Sequence, residues 1–295
     1  MKRLMKWVLP VAAVVLLGAG WYVGLAVAPP DREMGDVQRI MYVHVPLQWM
    51  AMMAMFINFV AAVAYLLSSG GNVGTVSAKP RSSSPLVSLL ALVVNLMAWV
   101  AHILKSGWGL LMPGSKEDEA RAKQDESGWK LDSVAEASAE IGLVLGTAGM
   151  ITGSIWGRPT WGVYWSWDPR LTSEAIMLVT YMGYLVLRRF VEDPDKRATW
   201  SSAVAILGAI NLPIVWFSVR WWRSLHQVQS SPRTVDPAMV LPLRISAFGM
   251  LALLLVFLGY RYRQAMAERR AEMALPDALP GDVPSSLPQN SSKVA

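Results

Sequence analysis

Cysteine is absent from this 295-residue chain. That excludes disulfides, thiolate metal sites and thiol redox chemistry, though it does not identify a compartment. Histidine is scarce, at three residues, so any imidazole chemistry falls to His44, His102 or His226. Charge is also scarce, at 16% of residues, where an ordinary soluble domain carries about 25%. There is no Gly-x-Ser-x-Gly elbow, Walker loop, metalloprotease helix or dinucleotide fingerprint. A Ser173, Asp168 and His triad has little to recommend it without that elbow, and no independent hydrolytic or redox active site is visible. No internal repeat is found.

What the chain has is apolar sequence, 54% of its residues, gathered into blocks of the ~20 residues that a helix needs to cross a bilayer. Six blocks are expected to span: Trp7–Ala28, Trp49–Leu67, Val134–Ile155, Leu171–Leu187, Ala203–Val219 and Met239–Tyr260. The third is the least uniform, because Asp132, Glu136 and Glu140 make its beginning polar. The first resembles a signal peptide, with Lys2, Arg3 and Lys6 before it and Ala26-Val27-Ala28 at its end. It is longer than a signal core and Pro29 follows the supposed site, so a retained helix is the better reading. Lysine and arginine set the orientation. Lys2, Arg3 and Lys6, then Arg188, Arg189, Lys196 and Arg197, then Arg261, Arg263, Arg269 and Arg270 all belong inside, and six crossings satisfy all three groups. The net charge of +6 is largely these anchors and does not point to nucleic acid.

The expected fold is therefore an all-α integral membrane protein with six transmembrane helices and cytoplasmic N- and C-termini. A polytopic domain covers 1–263, and the tail 264–295 is mostly disordered on composition. Within the domain, 68–130 reads as an insertion on the cytoplasmic side. It holds one more apolar run, Leu86–Leu104. A crossing there would put eight basic residues on the wrong side, so a re-entrant or interfacial helix is expected instead.

Three segments remain for the outer face: Pro29–Gln48, Trp156–Arg170 and Arg220–Ala238. The middle one opens the most informative stretch, Trp156–Glu174, with four Trp, one Tyr and four charged residues in nineteen positions. Interfacial Trp and Tyr can simply fix helix height. The density of Trp156, Trp161, Tyr164, Trp165 and Trp167 exceeds that need and suits a flat, apolar, acidic-edged ligand. If this stretch is helical, Trp161 and Trp165 stack four apart. Asp168 is better placed to cap the helix that starts near Leu171 than to touch a carboxylate. Arg158, Arg170, Arg220 and Arg223 suit carboxylate groups through bidentate pairing, or are plain loop charges. His44 and His226 lie on the same face as this loop. Two imidazoles can fill the axial positions of a haem iron. A loop His is equally often a polar surface residue, and both readings stand on the residues alone. His102 reads as structural.

The motifs carry a resemblance. Trp161-Gly162-Val163-Tyr164-Trp165-Ser166-Trp167-Asp168 resembles the tryptophan-rich WWD motif of the haem-handling proteins of cytochrome c maturation. Thr152–Pro159, Arg170-Leu171-Thr172-Ser173, Phe217–Gln227, Val235–Met239 and Met41–Pro46 resemble the haem exporter protein C family, CcmC. The resemblance covers most of the chain outside Ser68–Lys130 and the tail. It implies a protein of the cytoplasmic (inner) membrane that holds haem b at its outer face. His44 and His226 match the family's axial ligands, and the WWD loop its haem platform. The implied partners are the haem chaperone CcmE, the small membrane protein CcmD, the ABC transporter subunits CcmA and CcmB, and membrane lipid. Pro169 departs from the family, where Ala is commoner. A CcsA-like component of a cytochrome c haem synthetase shares the WWD loop but has more spans and more His. A haem-free transporter is a third class, disfavoured because the clear spans hold few mid-membrane polar groups and no repeat symmetry is found. Cys placed at Ser84 and at Lys116 should be labelled from the cytoplasmic side alone. Labelling of position 116 from outside, with 84 inside, would establish a crossing by Leu86–Leu104.

Overall fold

The computed structural model describes residues 2–68, 117–226 and 236–274. Leu86–Leu104, His102 and the tail beyond Ala274 lie outside them. The described residues form seven α-helices and no strand. They are α1 (Lys2–Tyr22), α2 (Met41–Ser68), α3 (Glu117–Trp161), α4 (Pro169–Phe190), α5 (Pro194–Ala209), α6 (Asn211–Trp221) and α7 (Pro237–Ala274). A π-turn, Val23–Val27, ends α1, and a 3-10 turn, Asp36–Ile40, leads into α2. Among the described residues, five helical stretches are long and apolar enough to cross a membrane: Trp7–Val27, Asp36–Ser68, Glu126–Trp161, Pro194–Trp221 and Pro237–Glu272.

These five match five of the six expected spans. The expected span Leu171–Leu187 lies in α4, which is not among them. At 22 residues α4 is about 33 Å long, enough for a hydrocarbon core. Its hydropathy is diluted by a polar inner face. Ser173, Glu174, Tyr181, Tyr184 and Arg188 are buried, while Ile176, Val179, Met182, Val186 and Phe190 face outward. The expected span Ala203–Val219 is two helices that meet at Ile210. Pro213 lacks an N–H for the carbonyl four residues back, which accounts for the break. The Asn211 side chain, at the same joint, donates to the Ser173 carbonyl at 2.5 Å and ties α6 to α4.

The most extensive helix pairing is α2 on α3. Its cause is a stripe of glycines along α3. A Cβ on Gly142 would stand 3.0 Å from Met55, one on Gly146 2.7 Å from Leu178 and 3.6 Å from Ala51, and one on Gly149 2.7 Å from Gln48. A Cβ on Gly153 would stand 2.8 Å from the His44 ring. Ala51 and Ala54 of α2 lie in the same seam, both fully buried. Small residues let membrane helices approach and gain dispersion contact that lipid does not otherwise replace. The α1–α7 pair uses the same device, with Gly20 against Ser246 and Gly249 against Leu17.

The bundle has two unlike ends. At one end, α4, α5 and α7 and the early part of α3 hold an ion network. Arg188 donates to Asp132 at 2.7 and 3.0 Å, to Glu136 at 2.9 Å and to the Ser201 hydroxyl at 3.2 Å. Arg261 pairs with Glu140 and Glu136, and Arg269 with Asp195. Tyr65 and Leu66, at the end of α2, cluster with Ala198 of α5 and Leu131 of α3. The chain therefore leaves α2 and enters α3 at the same end. The starts of α2 and α4 and the ends of α3 and α6 meet at the opposite end.

Arg188 and Asp132 side chains are each 5% exposed, so breaking this pair strands a buried charge. Arg188→Met should destabilise the protein by about 3–5 kcal/mol, read as a lower thermal midpoint in detergent. Adding Asp132→Asn should recover a large part of the loss. An unmoved midpoint in the single variant would show that the network does not hold the fold.

Candidate functional site: two histidines and a tryptophan-rich loop

His44 is not in a loop. It sits in the first turns of α2 and is buried. Its Nδ1 lies 3.0 Å from the Gly149 carbonyl and 3.2 Å from the Thr152 hydroxyl. The glycine stripe makes this approach possible. The carbonyl can only accept, so Nδ1 carries the proton and Nε2 keeps its lone pair. That is the arrangement of a metal-binding histidine, whose second nitrogen is held by a backbone or carboxylate partner. No protein group among the described residues bonds His44 Nε2. The Trp156 ring stands edge-on to His44 at 5.6 Å.

α3 ends at Trp161 because Gly162 takes φ +80°, a left-handed turn open to glycine. Residues 163–168 are therefore not helical, and the expected stacking of Trp161 on Trp165 does not form. Trp161 instead meets the His226 ring at 4.7 Å. Trp165 packs edge-on against Trp167 at 5.7 Å. Trp167 is 80% exposed and Tyr164 63%. Arg158 donates to the Gly162 carbonyl at 2.6 Å and lies 5.9 Å from the centre of the Tyr164 ring.

Asp168 does what its position implies, and more. It caps α4 by accepting from Arg170 N–H at 3.0 Å. The same carboxylate accepts from the Ser224 hydroxyl at 3.0 Å and from Leu225 N–H at 2.7 Å. It thereby fixes the chain just before His226. Burial raises the Asp168 pKa, but these donors and the nearby His226 outweigh it and hold the carboxyl below its ordinary value. His226 Nδ1 stands 3.6 Å from Asp168, too far for a hydrogen bond. It is a buried nitrogen with no partner among the described residues. Burial, with the Arg170 charge, lowers the His226 pKa to about 4 against a smaller rise from Asp168. At neutral pH the ring is uncharged, which is the ligating form.

Two small cavities, of about 30 and 20 Å³, share His44, Gly153 and His226 in their walls. Trp156, Trp161 and Met34 complete one, and Gln48, Arg170 and Glu174 line the other. A turn built on Asp31, whose side chain accepts from Glu33 and Met34 N–H, delivers Met34. The Gln48 amide donates to Glu174 within the wall. Arg170 is anchored by a 3.0 Å bond to the Val215 carbonyl and lines the same cavity as the histidines. Arg220, over the Phe217 ring, and Arg223 are exposed. Arg158 is exposed as well, so all three are accessible to an outside carboxylate.

The donor set suits a haem iron: two imidazoles turned to shared cavities, each backed by an indole, with exposed aromatics and arginines nearby. As packed, the gap holds about one water, so a porphyrin plane needs the 222–226 segment or the Trp loop to yield. Gln48, Glu174, Met34 and Ser224 were not expected at the site. Glu174 was signalled by polarity inside an apolar run and Gln48 by polarity at the edge of one, whereas nothing local marked Met34 or Ser224.

The family model that matches this chain is that of heme exporter protein C, over residues 1–114 and 129–275. The chain is 32% identical to a heme exporter protein C of Bradyrhizobium diazoefficiens over 272 residues, 91% of this chain and 81% of the relative. It is 32% identical to that of Escherichia coli over 251 residues, 84% of this chain and 79% of the relative. A putative cytochrome c biosynthesis ccmC-like mitochondrial protein of Marchantia polymorpha is 28% identical over 225 residues, 74% of this chain and 71% of the relative. The chain is a polytopic helical membrane protein whose motifs sit at one end of the bundle. It belongs to the heme exporter protein C family.

Asp168→Ala removes a cap worth about 1 kcal/mol and both bonds that hold the chain before His226. Amide exchange should quicken at Arg170 and at Leu225 together, and stay unchanged in α2. Faster exchange at Arg170 alone would show that the His226 segment is held by something else.

Proposed function

We propose that this protein binds haem b at the outer face of the cytoplasmic membrane and presents it to the haem chaperone CcmE for cytochrome c maturation. His44 and His226 are the axial ligands. The observation that carries the reading is their convergence: one from α2 and one from beyond α6, they line the same two cavities. Family membership supports it, because relatives are named for heme export and for cytochrome c biosynthesis. CcmD and the transporter pair CcmA and CcmB are the proposed partners within the module.

In this proposal α4 is the sixth crossing, and both termini lie in the cytoplasm. The ion network then stands at the inner end and the histidines at the outer end. Bound haem supplies an iron whose axial positions accept two neutral imidazoles. His44 is preset by the Gly149 carbonyl, and His226 is aligned by the Asp168-bound segment. Trp156 and Trp161 hold the two rings from behind. Tyr164, Trp165 and Trp167 form the exposed surface against which the macrocycle is offered to the chaperone. Arg158, Arg220 and Arg223 receive the propionates. Yielding of the 222–226 segment makes room for the macrocycle and releases it.

The test is an optical spectrum of the purified, haem-supplied protein. Wild type should give a low-spin bis-imidazole spectrum. His44→Ala and His226→Ala should each change it and weaken haem retention, and His102→Ala should not. Trp167→Ala should leave the spectrum intact and lower haem-chaperone adduct at equal protein level. An unchanged spectrum in both outer His variants would remove the ligand assignment. Transfer to apocytochrome in place of the chaperone would move the protein to the synthetase class.

A further inference from the structure

The histidine cavities are closed to a porphyrin, but a ligand-sized space adjoins them. Between α2 and α6 lies a groove of about 510 Å³, walled on α2 by Trp49, Met53 and Phe56 and on α6 by Pro213, Trp216 and Phe217. Its volume falls in the ~300–1,000 Å³ range of small-molecule pockets. Its walls are apolar, and Met53, Phe56 and Trp216 are 41%, 55% and 45% exposed on the bundle's outer surface. Both flanks belong to helices apolar enough to span, so the groove opens toward lipid.

Trp49 is the link. It walls this groove and also the cavity that holds His44, His226, Arg170 and Glu174. Trp49 follows His44 by five residues on α2, about 7.5 Å further along the helix. Its indole is shared by both walls, with the apolar groove on one side and the cavity lined by the two imidazoles on the other. Trp156 and Trp161 line the second small cavity, which shares His44, Gly153 and His226 with the first. The Arg170 bond to Val215 fixes α6 beside the first cavity, so the groove and the ligands keep their relation.

We infer that the α2–α6 groove is a lateral portal through which haem dissolved in the bilayer reaches His44 and His226, with the Trp49 ring as the gate. This rests on the haem-binding reading above. A porphyrin fits the observations better than an acyl chain or a partner helix. Across Trp49 the groove adjoins the cavity lined by His44 and His226, and neither of those occupants would use two imidazoles. Methionine supplies a deformable wall that can follow a planar guest and close behind it.

The chain has no cysteine, so Met53→Cys introduces a single addressable thiol in the groove. The full-length protein is placed in lipid nanodiscs and modified with a bulky methanethiosulfonate after folding. Haem is supplied either dissolved in the nanodisc bilayer or from serum albumin in buffer. With bilayer haem, the adduct should slow the appearance of the bis-imidazole spectrum several-fold while leaving its final form unchanged. Removing the adduct with reductant before haem is added should restore the rate. Trp49→Ala should speed loading from the bilayer. Equal rates with and without the adduct would overturn the portal. So would a slowing that is the same for both haem sources. Cross-linking of the Met53→Cys variant through its thiol to a partner protein in native membranes, with no effect of the adduct on loading, would assign the groove to a transmembrane helix and also overturn it. Absence of a bis-imidazole spectrum in unmodified wild type would be a failure of the ligand reading, not of the portal.

Discussion

The close approach of α2 to α3 is the constraint on which the rest depends. Gly142, Gly146, Gly149 and Gly153 leave a smooth furrow along α3, and α2 lies in it from Met55 at one level to His44 at the next. At the deeper levels the gain is dispersion between Ala51, Ala54 and Met55 and the α3 backbone. At the top level the same approach becomes chemistry, because the Gly149 carbonyl comes within 3.0 Å of an imidazole nitrogen. A methyl group at Gly149 or Gly153 would push Gln48 or His44 outward, and the tautomer that frees Nε2 would lose its anchor. Helix packing and the orientation of the His44 ring are one interaction here.

The two ends of the bundle handle charge differently. At one end Arg188, Asp132 and Glu136 bury opposite charges against one another. Such pairs add little net stability against apolar substitutes but penalise loss of one member heavily, so they fix which helices meet. At the other end the carboxylate of Asp168 is satisfied almost wholly by backbone and hydroxyl donors. Arg158, Arg220 and Arg223 lack carboxylate partners there among the described residues and remain available.

Much of the fold was legible because long apolar runs are strong, local signals. Five expected spans fall on helices long and apolar enough to cross, and Asp168 was read as a cap from the helix start expected near Leu171. The break at Ile210 was missed because Asn211 and Pro213 lie inside an otherwise apolar run that suggests a single helix. The stacking expected of Trp161 on Trp165 assumed a helix, and Gly162 ends that helix by a positive φ that hydrophobic periodicity does not encode. The glycine stripe was present in the sequence as spacings of four, three and four, but which helix it faces is a tertiary fact. The bonds from Ser224 and Leu225 to Asp168 join residues 56 and 57 positions apart, beyond any local reading.

A single carboxylate caps α4 and clasps the segment that carries His226, and the two duties are not independent. Releasing the segment withdraws two of the donors that hold Asp168 in its capping rotamer, so the first turn of α4 frays more readily. Binding free energies couple reciprocally, so a partner that grips that turn also tightens the hold on the histidine. The arrangement is a mortise with one pin: the joint opens at either member, and whatever draws the pin loosens both at once.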